Sequence, residues 1–413
     1  MRDRRTGMTS SFVYSVIGSL HDIGTSPSLD ATRDGHEAAV SYVELLFDLI
    51  YVFAIIQVSH FLLEHLSLLG AAQALLLWFA VWLGWQYSGW MTNWFDPDTT
   101  PIRLVLFVTM ALALMMAAAL PEAFGDRGLI FAGCFAAMQV GRSLFILLSL
   151  RGHALADLTA NYQRILGWAC IGAVFWLAGG LVEGPTRLVL WALAVACEYV
   201  SPMFGFRLPG LGRSYTRHWT IEGGHLIERC ALFMIIALGE TILITGATLA
   251  GADTWSGGTL LAFGVAFLET VAMWWVYFHI AIRDASRVIT ESDDPGRIGA
   301  YFHYVHVIIL GSVILCAVGS ELVIAHPVGH LTTTVTSVLL AGPMAFLAGM
   351  AIYKFVVYGR PPLSHLVGLL LMPTLLIPLT VAHSALLLQG ASAVLLLGVG
   401  TWEMLSRQGA LRI

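Results

Sequence analysis

Twelve apolar runs, most of them close to 20 residues, follow one another between residues 43 and 406 with short polar joints between them. A helix needs about 20 apolar residues to cross the hydrocarbon core of a bilayer. Inside that core only helices and closed barrels satisfy their own backbone hydrogen bonds. The runs are continuous rather than alternating in ten-residue pieces, which removes a barrel. Composition agrees: 58% of the 413 residues are apolar and 11% charged, against about 25% charged in a soluble domain. Mean hydropathy is +0.79. The expected class is an all-α polytopic membrane protein.

The spans are expected near 43–64, 68–91, 102–121, 128–150, 161–182, 186–206, 226–250, 257–282, 300–325, 331–357, 363–387 and 390–406. Counting sides along this order, all of the 21 basic residues except Arg127 and Arg187 collect on the side of the N-terminus. Positive charge marks the cytoplasmic face, so about 12 transmembrane helices with both termini cytoplasmic are expected. An internal echo accompanies the layout. Ala54 and Gln57 fall beside Ala237 and Glu240 at an offset of 183, Asp96-Pro97 beside Asp294-Pro295 at 198, and Glu122 beside Glu321 at 199. Two parallel six-helix repeats follow from it. The expected organisation is a flexible cytoplasmic tail over 1–40, a first half over 41–207, a cytoplasmic linker over 208–225 and a second half over 226–413.

Several chemistries are excluded. The five cysteines are scattered through apolar stretches with no CxxC pair, which removes a disulfide framework and structural zinc. Lys354 is the sole lysine and follows Tyr353, so there is no phosphate-cradling P-loop. HExxH and GxSxG are both missing. A net charge of −5 argues against nucleic acid as a partner. No cofactor is expected; membrane lipid and a proton or small cation are the expected partners.

Ionisable side chains inside the runs are the candidates for function, because each costs about 2.5 kcal/mol or more at the bilayer centre and must face protein or water. On the first span Glu44 and Asp48 stand four apart and share a face, with Gln57 and His60 further along. Glu44 and Asp48 also suit a plain capping role at the first turn. The seventh span begins His225-Leu-Ile-Glu228-Arg229 and carries Gly239-Glu240 deep in its apolar run. Gly239 predicts close approach of another helix beside Glu240. Glu269 lies on the eighth span, and His303 and His306, three apart, on the ninth. Histidine, whose free pKa lies nearest neutrality, suits a proton relay. Arg142 and Glu198 lie within or near apolar runs and are candidates to pair.

The run Glu44-Leu-Leu-Phe-Asp48-Leu-Ile-Tyr-Val-Phe-Ala54 and the run from Glu228 through Gly239-Glu240-Thr241 resemble the low temperature requirement protein A family of bacteria. So do Trp94-Phe-Asp-Pro-Asp98 and the stretch from Met116 through Pro121-Glu122 to Gly128. The likeness extends over most of the chain from about residue 40; Cys230-Ala231 stands where the family usually has Phe-Gly after Glu-Arg. The resemblance implies a multi-pass membrane protein linked by name to growth in the cold, and points to Glu44, Asp48, Glu228 and Glu240. The Phe47-Asp48 opening is also similar to that of potassium/proton channels built from two six-span repeats, which carry Phe-Ser-Asp; the serine is missing here.

The leading expectation is a proton- or cation-coupled transporter or channel. Glu240 would exchange the proton, His60, Glu269, His303 and His306 would relay it, and Glu44, Asp48, Glu228 and Arg229 would form an entrance or gate. One alternative is a membrane-embedded His/Glu enzyme, with or without a metal, acting on lipid-like substrates. Another is a non-catalytic membrane factor for cold adaptation.

Overall fold

A computed structural model describes residues 39–152, 155–219, 221–279, 281–329, 331–375 and 384–407. The expected tail, apart from residues 39 and 40, lies outside the described residues. Within them the chain is helical: α1 (Tyr42–Glu64), α2 (Leu68–Trp94), α3 (Thr100–Ala119), α4 (Gly128–Ser149), α5 (Ala156–Gly180), α6 (Gly184–Met203) and α7 (Gly223–Ala250) are followed by α8 (Gly257–Phe278), α9 (Ala281–Thr290), α10 (Pro295–Ala325), α11 (Thr333–Tyr358), α12 (Leu363–Thr374) and α13 (Ala385–Arg407). There is no strand among the described residues; a short bridge pairs Leu208 with Gly212.

The termini of these helices follow local chemistry. Ser67, Ser256 and Thr332 cap α2, α8 and α11 by accepting a backbone N–H, which satisfies a donor the helix itself leaves open. Pro295 opens α10 behind the Asp294 cap, a position where its missing N–H costs nothing. Gly359 ends α11 at φ +67°, a left-handed conformation that favours glycine.

Nine helices among the described residues are long and apolar enough to cross a membrane: α1, α2, α3 with its 3-10 extension to Glu122, α4, α7, α8, α10, α11 and α13 to Ser406. The protein is thus a multi-pass helical membrane protein. The expected spans at 161–182 and 186–206 form α5 and α6, of 25 and 20 residues, which are less apolar in composition and are not among the nine. The expected span at 363–387 is only a 12-residue helix before the segment 376–383, which lies outside the described residues. α9 is an element that apolar-run reading passes over, because it is amphipathic rather than apolar throughout: Ala285 and Ile289 are buried while Asp284 pairs with Arg287 at 3.4 Å.

α10, the most buried of the spans, packs against α11, α7 and α1, while α1 also packs on α2, α3 and α7. α4, α5 and α6 pack in succession, and α13 lies on α8. Close approach is enforced where side chains are small: a Cβ on Gly84 of α2 would sit 2.5 Å from the Tyr51 hydroxyl of α1. Arg127 and Arg187, the two arginines set apart in the sequence, both bind backbone carbonyls within the stretch 118–125 that leads from α3 to α4. Arg187 donates to the carbonyls of Ala123 and Gly125, and Arg127 to that of Ala118.

Candidate functional site where α1, α2 and α7 meet

Glu44 and Asp48 are one turn apart on α1, so both carboxylates leave the helix on the same side. Facing them on α7 are His225 and Arg229, also four apart. All four side chains are buried. Arg229 spans the pair: its Nη1 donates to Glu44 Oε1 at 2.7 Å and its Nη2 to Asp48 Oδ1 at 2.6 Å. The Trp85 indole N–H of α2 donates to the same Asp48 oxygen at 2.7 Å. The guanidinium also lies 5.5 Å from the Trp85 ring, within cation–π range. Phe233 stacks on that ring at 4.7 Å and 11°.

Glu44 holds two posts. Its Oε2 accepts from the Ser41 N–H at 2.9 Å and from the Ser41 hydroxyl at 3.0 Å, closing a capping box at the start of α1. Its Oε1 faces Arg229 and His225. The capping role and the charged site are therefore carried by one residue, one oxygen each.

Asn93 lies on the other side of His225. The Asn93 amide is oriented by the backbone of Glu222, donating to its carbonyl at 3.0 Å and accepting its N–H at 3.1 Å. The Asn93 NH2 group also faces His225 Nδ1 at 3.3 Å. His225 Nε2 lies 3.0 Å from Glu44 Oε1, an ion pair whenever the imidazole is protonated. Two carboxylates thus face one guanidinium and one titratable imidazole, and Asp48 Oδ2 accepts no hydrogen bond among the described residues.

His303 of α10 adjoins this layer, its ring 6.0 Å from Trp85, 6.3 Å from Trp82 and 5.4 Å from Trp90. Its Nδ1 has no hydrogen-bond partner among the described residues. His306 is engaged elsewhere, with the Tyr277 hydroxyl at 2.8 Å on Nε2 and the Phe302 carbonyl at 2.7 Å on Nδ1. Glu228 is exposed, outside the buried cluster, and accepts the Val40 N–H at 3.3 Å. One residue of helix turns a side chain by about 100°, so Glu228 cannot share the face of Arg229.

The remaining candidates lie apart. Gln57 is half-buried and His60 exposed; His60 is about 18 Å beyond Asp48 along α1 at 1.5 Å per residue. Glu240 is buried, about 16 Å beyond Arg229 along α7 by the same rise, and its Oε2 has no partner among the described residues. Among the described residues no helix comes close at Gly239: a Cβ on that glycine meets nothing within 4 Å. Glu269 accepts from Gln389 at 2.9 Å, and Gln389 also donates to Ser320 at 2.8 Å. Arg142 and Glu198 form no ion pair; Arg142 donates to Ser88 and Gln139, and Glu198 accepts from Trp176.

Sequence reading placed His225 in its motif without giving it a role, gave Trp85 no place in a charged site, and passed over Asn93. The signal was present for His225, which stands four residues before Arg229 and so on its face. A second cluster was missed outright. Lys354 of α11 donates to Glu403 of α13 at 2.5 Å, with His365 of α12 within 3.3 Å of both. Among the described residues no group of three or more His, Cys, Asp or Glu could hold a metal ion.

A bundle of membrane-length helices tied together by buried ion clusters is the class that fold and site define. The chain belongs to the bacterial low temperature requirement A (LtrA) family, which it matches over residues 39–400. It is 41% identical over 372 residues to an uncharacterized protein of Rhizobium meliloti (strain 1021), a match covering 89% of either chain. No solved structure matches it.

Proposed function

We propose that this protein is a transporter or channel coupled to a proton or small cation, with the Glu44–Asp48–Arg229–His225 cluster as its charge-bearing gate. The observation that carries this reading is that two buried carboxylates share one guanidinium and one imidazole at the contact between α1 and α7, so that the proton on the imidazole decides whether a negative charge is left over. A net charge in a low-dielectric interior costs on the order of several kcal/mol. One proton or one monovalent cation cancels it, and the open Asp48 Oδ2 is where that ion docks. Occupancy then decides how tightly α1 and α7 are held together. A coupled carrier needs such a link between ion and helix contact.

Glu228 stands exposed at the mouth of this gate, and His303 with its three tryptophans borders it. Glu240, Glu269, His306 and, at the far end of α1, His60 are the relay positions beyond. Twelve crossings in two parallel six-helix halves, with both termini in the cytoplasm, belong to the same reading. The binding of both Arg127 and Arg187 to the stretch 118–125, which puts the two set-apart arginines at one end, supports it. The test is purified protein in liposomes carrying a lumenal pH dye, with opposed proton and potassium gradients. Wild type is expected to dissipate the gradient and Asp48→Asn to lose that flux; equal flux from the two proteins overturns the gate.

A further inference from the structure

We infer that the turn between α6 and α7, residues 204–217, is a binding site for the headgroup of an anionic phospholipid, held by Arg213 and Arg217. Between Tyr199 and Ile221 the chain has no Asp or Glu, while Arg207, Arg213 and Arg217 all fall there. The three arginines are exposed, and none forms an ion pair among the described residues. Asp294, at the start of α10 behind the turn, is taken up by the Thr216 hydroxyl at 2.8 Å and the Arg297 N–H at 3.0 Å.

The turn is built rather than loose. Leu208 pairs with Gly212, and the Ser214 N–H donates to the Gly205 carbonyl at 2.7 Å. Phe206 takes a positive φ of +51° and is buried, an uncommon backbone conformation for a bulky residue. Two side chains of α5 pin the backbone from beneath. Arg164 donates to the Leu211 carbonyl at 2.7 Å and to the Ser214 hydroxyl at 3.0 Å, and Trp168 to the Arg207 carbonyl at 3.2 Å. On the outside, the guanidinium carbons of Arg213 and Arg217 lie 4.5 and 5.2 Å from the centre of one ring, that of Tyr215. Two like charges brought to one ring repel each other, and an anion between them reverses the sign of that interaction. A phosphodiester fits, because each guanidinium can offer it a fork of N–H donors.

The position of the turn says where the phosphate comes from. Trp219, just beyond it, packs on Trp90 and Trp94 at 5.4 and 6.1 Å. Trp94 ends α2 and Gly223 begins α7, both of membrane length, so the turn stands level with the ends of these spans. Trp and Tyr gather at that level, beside the headgroups. Met203, Phe204 and Leu211 are exposed next to the arginines and suit the acyl chains below a headgroup. Basic clusters at such a level attract anionic lipid.

This inference holds whether or not the protein transports. Full-length protein in detergent is titrated with phosphatidylglycerol and with phosphatidylcholine of the same acyl chains, and bound lipid is counted by native mass spectrometry. Phosphatidylglycerol is expected to bind about tenfold more tightly, since choline cancels the charge that two arginines would meet. The double variant Arg213→Gln, Arg217→Gln should lose that preference. Arg103→Gln, which removes an exposed arginine already paired with Asp98, should keep it. Equal binding of the two lipids by wild type overturns the site, as does an unchanged preference in the double variant. Inorganic phosphate binding as tightly as phosphatidylglycerol overturns the lipid in favour of a free anion.

Discussion

Two buried ion clusters use the same side-chain types for different ends. In the second half of the chain Lys354 meets Glu403, one cation to one anion, with His365 between them. The charges balance, and Glu403 keeps a 10% exposed side chain. Between α1 and α7 two carboxylates share Arg229, in side chains at most 3% exposed. Holding helices together needs only the first arrangement. The second sets two carboxylates against Arg229 and an imidazole, so its balance turns on one proton at His225, and retaining it in a hydrocarbon-facing protein makes sense if an ion comes and goes. Charge stoichiometry, more than burial, separates an architectural pair from a working one.

The sharpest way to break this contrast is Arg229→Met. It leaves two buried carboxylates without a counter-charge and is expected to cost about 3–5 kcal/mol, seen as a large fall in the unfolding midpoint followed by tryptophan fluorescence in detergent. Adding Asp48→Asn to that variant should recover part of the loss. A singly substituted protein that melts like wild type removes Arg229 from the centre of the site. Lys354→Met should follow at about 2 kcal/mol, a charge-assisted hydrogen bond's worth, because water can reach Glu403. If it costs as much as Arg229→Met, the two clusters are energetically alike and the contrast fails.

Asp48→Asn alone is expected to change stability by no more than about 1 kcal/mol, since an amide oxygen still accepts from Arg229 and Trp85. Its effect belongs to flux, so its melting curve should stay close to that of wild type while its liposome flux is lost. The smallest effect is expected at Glu240→Gln, within about 0.5 kcal/mol, because its Oε2 holds no described partner to lose. Its flux is the informative number: a wild-type rate with this variant takes Glu240 out of the pathway and leaves the α1–α7 cluster to act alone.

Much of the architecture was legible in the sequence because lipid imposes a length. Eight of the expected spans coincide within several residues with membrane-length helices over α1–α4, α7, α8, α10 and α11, and that at 390–406 falls inside α13. Legibility failed where length and apolarity part company, at amphipathic α9 and at the short α12. In the site, the shared face of Glu44 and Asp48 was readable from their spacing, and Glu44's cap from Ser41 three residues before it. Gly239 misled, because a small residue permits a close helix without requiring one. Glu228 and Arg229 were read together as chain neighbours, although neighbours on a helix point apart.

By itself the sequence determined the solvent, the helical class, the family and which side chains have no business in hydrocarbon, since all of these depend on local composition and on motifs. Only tertiary structure decided that Glu44 and Asp48 meet a residue 181 to 185 positions away, that Arg142 and Glu198 bond to other side chains rather than to each other, and that Glu240 stands alone. Pairing across such distances is chosen by how helices pack. A helix makes several faces available, and nothing in its own residues says which face the next one will cover.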